Sequence, residues 1–117
     1  MGRAFWRAEE SRDVDRILEF FTDDAVWEGS GVTLTGREQI REYHARSAAA
    51  YPGLEVRVGR VHGDDDVAAL ERHARFTGPS GEVVPLDGVN IMRREGDKIG
   101  ALTAYWRESW LHLDRGP

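Results

Sequence analysis

Two short stretches of this 117-residue chain combine side chains able to move a proton next to a carbonyl group. In the first, Glu71 and His73 stand two apart in an extended run and share one face. A carboxylate there can hold an imidazole in one tautomer, a base–orienter pair suited to removing a proton α to a carbonyl. Leu70, Arg72 and Ala74 share the opposite face. A one-residue change of register exchanges the two faces, so the sequence leaves open which one turns inward. In the second stretch Asn90 interrupts the apolar residues Val89, Ile91 and Met92. Its amide can donate to a developing enolate oxygen, or be satisfied by backbone in a purely structural role. Trp27, Tyr43, Met92 and Trp106 could wall a pocket for a flat molecule, and Ser47 adds a hydroxyl. Large aromatics also fill the core of any small domain. The expected roles are His73, Glu71 and Asn90 for catalysis, and Trp27, Tyr43, Ser47, Met92 and Trp106 for substrate binding.

Other chemistries find no support. The chain has no Cys, which removes thiol nucleophiles, disulfides and thiolate metal sites. His44, His62, His73 and His112 lack zinc-ligand spacing, and Asp64-Asp65-Asp66 reads as a charged turn, because a calcium loop needs spaced acids and a distal Glu. No G-x-S-x-G, Walker or dinucleotide motif occurs, so neither metal nor cofactor is expected. Sixteen cations against 21 acids give a net charge of −5, which argues against a nucleic-acid partner. No uncharged stretch is longer than that of 47–54, which is far shorter than the roughly 20 apolar residues that span a bilayer. Arg3, Arg7, Glu9 and Glu10 leave no room for a secretory h-region, so the expectation is a cytoplasmic protein without a membrane partner.

Residues 1–117 are expected to form one domain, with its core over 5–107 and a tail from 108 to 117 carrying Trp110, Leu111 and Leu113. Phe5 and Trp6 open a first helical turn. Asp13 caps a second helix, with Val14, Ile17, Leu18 and Phe21 on one face. Residues 25–28 and 32–34 read as short strands. Thr35 followed by Glu38 has the pattern of a capping box, starting a helix through Ile40, Tyr43, His44, Ser47 and Tyr51 that Pro52-Gly53 stops. The inner stripe of that helix is mixed rather than apolar. From residue 54 the periodicity becomes two, and four long strands joined by short turns predict an antiparallel meander. Helices first and strands afterwards define an α+β chain, and a bent meander roofed by three helices encloses a hollow at its wide end.

The segments Phe20-Phe21-Thr22-Asp23-Asp24-Ala25-Val26-Trp27-Glu28, Gly36-Arg37-Glu38-Gln39-Ile40-Arg41 and Tyr51-Pro52-Gly53-Leu54-Glu55-Val56 resemble the SnoaL-like group of the nuclear transport factor 2-like superfamily. So do Gly88-Val89-Asn90-Ile91-Met92-Arg93 and Gly96-Asp97-Lys98-Ile99. The resemblance implies a cone-shaped, curved antiparallel sheet covered by N-terminal helices, the cystatin-like α+β barrel. Its relatives include ketosteroid isomerases, polyketide cyclases, epoxide hydrolases and non-catalytic binders, so function is not implied by fold. Where the isomerases carry a base Asp this chain aligns Gly29; their oxyanion Tyr falls near Phe5, and their protonated Asp at Asn90. Epoxide hydrolases carry an Asp at the position of Ala104 and an Arg-x-Asp where Arg72-His73-Ala74 stands. Polyketide cyclases place an acid near the end of the last strand, here Arg107-Glu108. The implied activity is therefore cofactor-free cyclisation, isomerisation or dehydration of a polyketide-like carbonyl compound by a different set of residues. The alternative is a binding or assembly module without turnover. Val89, Ile91, Thr103 and Tyr105 on the outer face would make an apolar patch, which predicts a homodimer.

Overall fold

The computed structural model describes residues 2–108. Three helices precede or interrupt the strands: α1 (Gly2–Ser11), α2 (Val14–Leu18) and α3 (Arg37–Ala50). Six strands follow in one sheet: β1 (Phe21–Gly29), β2 (Val32–Thr35), β3 (Gly53–Gly63), β4 (Val67–Thr77), β5 (Val83–Glu95) and β6 (Lys98–Glu108). The expected tail contacts of Trp110, Leu111 and Leu113, and His112, lie outside the described residues.

Local chemistry accounts for most boundaries. Asp13 caps α2, its carboxylate accepting the backbone N–H groups of Asp15 and Arg16. Phe21, expected on α2, instead starts β1: α2 stops at Leu18, and Ile99 N–H donates to the Phe20 carbonyl, drawing the chain onto the sheet. The capping box also differs from expectation. Gly36 is the N-cap of α3, with no side-chain cap, and Gln39 rather than Glu38 reaches back to accept the Thr35 N–H at 2.8 Å. A side chain of the same length, placed one position further on, reaches that backbone donor.

The sheet order is β2-β1-β6-β5-β4-β3. Strands β3 to β6 form the antiparallel meander, but β1 joins β6 in parallel, so the sheet is mixed. Register then decides the faces. Directly opposed residues share a face, so Val58, Arg72, Gly88 and Trp106 form one inner row and Leu70, Asn90, Ala104 and Gly29 the next. Ala68, Met92, Leu102 and Trp27 lie one row further on. The helices pack on this inner side around Phe5, Ile17, Leu18, Phe21, Ile40, Ile99 and Leu102, all fully buried. Phe5 anchors the cluster, meeting Trp6, Phe20 and Phe21 edge-on at 4.9, 5.8 and 5.5 Å.

Gly88 allows the β5–β6 seam to close around the bulky Trp106. A Cβ there would stand 2.0 Å from the Tyr105 carbonyl oxygen and 3.0 Å from Trp106. Backbone cannot yield as a side-chain tip can. Gly88→Ala is therefore expected to lower the free energy of unfolding by about 1–3 kcal/mol, measured by urea denaturation.

Candidate functional site

Between the helices and the inner face of the sheet lies a cavity of about 190 Å³. A hollow of roughly 150 Å³ accommodates benzene, so this one suits a molecule of one or two rings. Its sheet wall is built from small or flat residues: Ala74 on β4, Gly88 and Asn90 on β5, Ala104 and Trp106 on β6. Its helical wall is polar, with Glu9 and Arg12 from the α1 end and Tyr43, His44 and Ser47 from α3.

The polar groups are organised around one ion pair. Arg72 projects from the sheet and donates to Glu9 on α1 at 3.0 Å, with both side chains largely buried. The Arg72 guanidinium also lies over the Trp6 ring, 4.9 Å from its centroid. His44 is only 4% exposed, and its Nε2 has no hydrogen-bond partner among the described residues. Burial pushes its pKa below the ordinary 6.5, against the pull of Glu9, so the ring is neutral at pH 7. Burial likewise raises the Tyr43 pKa above 10, so its phenol keeps its proton.

Arg12 is held in an unusual backbone state. Its φ of 60° is left-handed, where a non-glycine residue costs about 1–2 kcal/mol. From there the side chain crosses the cavity edge, donating from Nε to the Tyr51 carbonyl and from Nη2 to Ser47 Oγ, both at 3.0 Å. The aromatic wall begins at Trp27, whose ring is 4.5 Å from Tyr43 and 6.2 Å from Trp106 between centroids. Gly29 makes this cluster possible, since a Cβ there would meet Trp106 at 2.8 Å and Trp27 at 2.9 Å.

Of the residues singled out by sequence, Trp27, Tyr43, Ser47, Asn90 and Trp106 come together on the cavity wall. Asn90 is 4% exposed there. The expectation that His73 and Glu71 face the same space is corrected. Both lie on the outer face, because Arg72 takes the inward position of the alternation. His73 Nδ1 instead meets Asp87 at 2.8 Å across β4 and β5. Glu71 pairs with His62 at 3.0 Å and Arg60 at 3.5 Å, and chiefly the His62 hydrogen bond holds its pKa below the usual carboxylate value. Met92 is corrected too. It points inward but sits one row beyond Asn90, buried in the core and away from this cavity.

Sequence reasoning missed Glu9, Arg12, His44 and Arg72. A signal for three of them was present. Glu9 falls four positions after Phe5, on the stripe of α1 that faces the core, and Arg12 continues that spacing one residue past the end of the helix. His44 sits on the mixed inner stripe of α3, next to Tyr43. For Arg72 only the choice of face was undecided.

The comparisons with known proteins agree with this architecture. A SnoaL-like domain model matches residues 2–102. The chain belongs to the SnoaL-like domain family. No curated protein matches it. Among solved structures it is similar to SalBIII, an epoxide hydrolase/cyclase-like enzyme in pyran ring formation of the polyether salinomycin. Identity there is 25%, the TM-score 0.80, and 91% of this chain and 87% of that one are covered. A cystatin-fold protein from Novosphingobium aromaticivorans has 25% identity, TM-score 0.75 and coverage of 88% and 92%. A protein of ketosteroid isomerase-like fold from Catenulispora acidiphila, in complex with trimethylamine, has 23% identity, TM-score 0.76 and coverage of 89% and 82%. This SnoaL-like chain has Ala74 and Ala104 facing its cavity where the family resemblance puts the acids of epoxide hydrolases. No helix among the described residues is long and apolar enough to cross a membrane, and none of their His, Asp and Glu side chains cluster as a metal site.

The buried imidazole makes a pH signature. Unfolded chains take up a proton at His44 near pH 6.5, whereas the folded protein does so only at lower pH. The unfolded state binds the extra proton, so stability is expected to fall as pH drops below about 6.5. Thermal denaturation across this range reads the slope, which His44→Gln is expected to flatten.

Proposed function

We propose that this SnoaL-like protein is a cofactor-free cyclase, isomerase or dehydratase acting on a small polyketide-like carbonyl compound, with His44 as the base. The observation that carries this reading is a neutral imidazole, its Nε2 without a partner among the described residues, on the wall of a cavity that also holds Asn90. A neutral His near physiological pH is the form that accepts a proton. His44 Nε2 removes a proton α to the substrate carbonyl, and the electron pair moves onto the carbonyl oxygen. The Asn90 amide donates to that oxygen as its charge develops. Returning the proton to another carbon isomerises the compound, and attack of the carbanion on a second carbonyl closes a ring. Tyr43 keeps its proton and serves as a second donor, while Trp27 and Trp106 hold the ring system by stacking. The likeness to SalBIII supports a cyclase-type reading, although Ala74 and Ala104 remove the acids for epoxide opening.

The test uses a two-ring ketone, 2-tetralone, in D₂O, with exchange of its α protons followed by NMR. Catalysed exchange above the buffer rate is expected, falling about 100-fold in both His44→Gln and Asn90→Ala. Exchange that both variants leave unchanged removes these roles. The absence of acids at Ala74 and Ala104 favours one other reading, a ligand-binding module, and binding of the ketone without exchange would favour it.

We also propose a two-fold homodimer through the outer face of the sheet. Ile91 is 38% and Tyr105 61% exposed there, beside Val89 and Thr103, an apolar patch flanked by charged residues. A solution mass near twice the 13.2 kDa of one chain is expected by light scattering, and Ile91→Asp is expected to halve it.

A further inference from the structure

The charge inside the cavity has the opposite sign to that of the whole molecule. The chain carries −5 overall, yet its cavity is bordered by two guanidinium groups and one carboxylate. Glu9 is engaged with Arg72, and His44 is neutral. Among the described residues Arg12 hydrogen-bonds to neutral partners: the Tyr51 carbonyl and the Ser47 hydroxyl oxygen accept its two hydrogen bonds, and the Phe76 ring lies 5.9 Å beneath it. It forms no ion pair among the described residues; burial, the largest influence on it, lowers its pKa, and Glu9 pulls the other way through space while paired with Arg72. Its Nη1 makes no hydrogen bond to the described residues. A half-buried cation with no ion-pair partner of its own among the described residues, on a backbone conformation that disfavours any residue but glycine, is poorly explained by stability alone. The same position with Gly would relieve the strain and the desolvation together.

We propose that Arg12 anchors a carboxylate of the substrate, so that the occupant of the cavity is a one- or two-ring carbonyl compound bearing an acid group. The proposal rests on the reading of this cavity as the site of a carbonyl compound, and it adds the class of that compound. A carboxylate meets the free Nη1 edge of Arg12 as a charge-assisted hydrogen bond. Ser47 Oγ accepts from Arg12, which leaves its hydroxyl hydrogen to donate to the same anion. Arg12 sits at the α1–α2 junction and Asn90 on the sheet, so the acid group and the reacting carbonyl would be gripped from different walls. That arrangement orients the substrate by two polar points, with the aromatic cluster between them.

The experiment compares 2-naphthoate with 2-naphthamide, which share a ring system and differ in charge, by isothermal titration. The wild-type protein is expected to bind the acid at least about tenfold more tightly than the amide, a difference of about 1.4 kcal/mol. Arg12→Lys, which keeps the charge, is expected to retain much of that preference. Arg12→Gln keeps a donor without the charge, and its acid-to-amide ratio is expected to approach one. Equal binding of the two probes by the wild type overturns the anchor while leaving the cavity reading intact, and so does a preference that survives in Arg12→Gln. Binding of neither probe at millimolar concentration overturns both. The wild-type ratio is decisive even where a variant fails to fold.

Discussion

The structure depends on the requirement that Arg72, pointing inward from the middle of the sheet, find a counter-charge away from water. Glu9 supplies it from α1, 63 residues earlier in the chain, at 3.0 Å. Leaving either partner of such a buried pair alone costs about 3–5 kcal/mol, so the helix is tied to this point of the sheet. Trp6, one turn before Glu9, covers the guanidinium face. The pair acts as a strut. It fixes where α1 lies, and the small residues beside it, Ala74, Gly88 and Ala104, are too short to fill the space that remains.

That space acquires its chemistry from what surrounds the strut. The apolar walls solvate a charge poorly and so disfavour the charged form of each group among them, which is why burial is the largest influence on His44, Tyr43 and Arg12 alike. The result is a cavity with a neutral imidazole and a protonated phenol on the helical side, and an amide on the sheet side. The aromatic residues do a separate job. Trp27, Tyr43 and Trp106 form a continuous wall only because Gly29 has no side chain between two of the rings. Position of apolar surface and position of polar groups are thus set by different residues on different elements.

The outer face shows the same strand alternation turned to another use. The inward place of Arg72 sends Glu71 and His73 outward, where His73 meets Asp87 and Glu71 meets His62 and Arg60. These pairs are partly exposed, and exposed pairs contribute little to stability. Beside them Val89, Ile91 and Tyr105 leave apolar surface uncovered. One strand, β4, therefore separates two environments: the cavity and core reached by its even-numbered residues and a charged outer surface reached by Glu71, His73 and Arg75.

Much of this was legible in the chain. Periodicity, turn residues and the Asp13 cap predict the helices and the four long strands, since these signals are local and the physics that reads them is local. The mixed stripe of α3 already marked Tyr43, His44 and Ser47 as more than core, and Asn90 stood out as an amide within an apolar run. The boundary at Phe21 and the cap of α3 were not legible, because a strand partner at Ile99 and a reach of one extra residue at Gln39 decided them.

Residue types and their spacing by themselves determined the α+β order, the alternation along each strand and the absence of thiol or phosphate-loop chemistry. Only the tertiary structure decided which half of β4 meets the cavity, because alternation is symmetric until a helix covers one side. Packing of α1 broke that symmetry by bringing Glu9 to Arg72, and with it moved the titratable imidazole of the site from a strand to a helix.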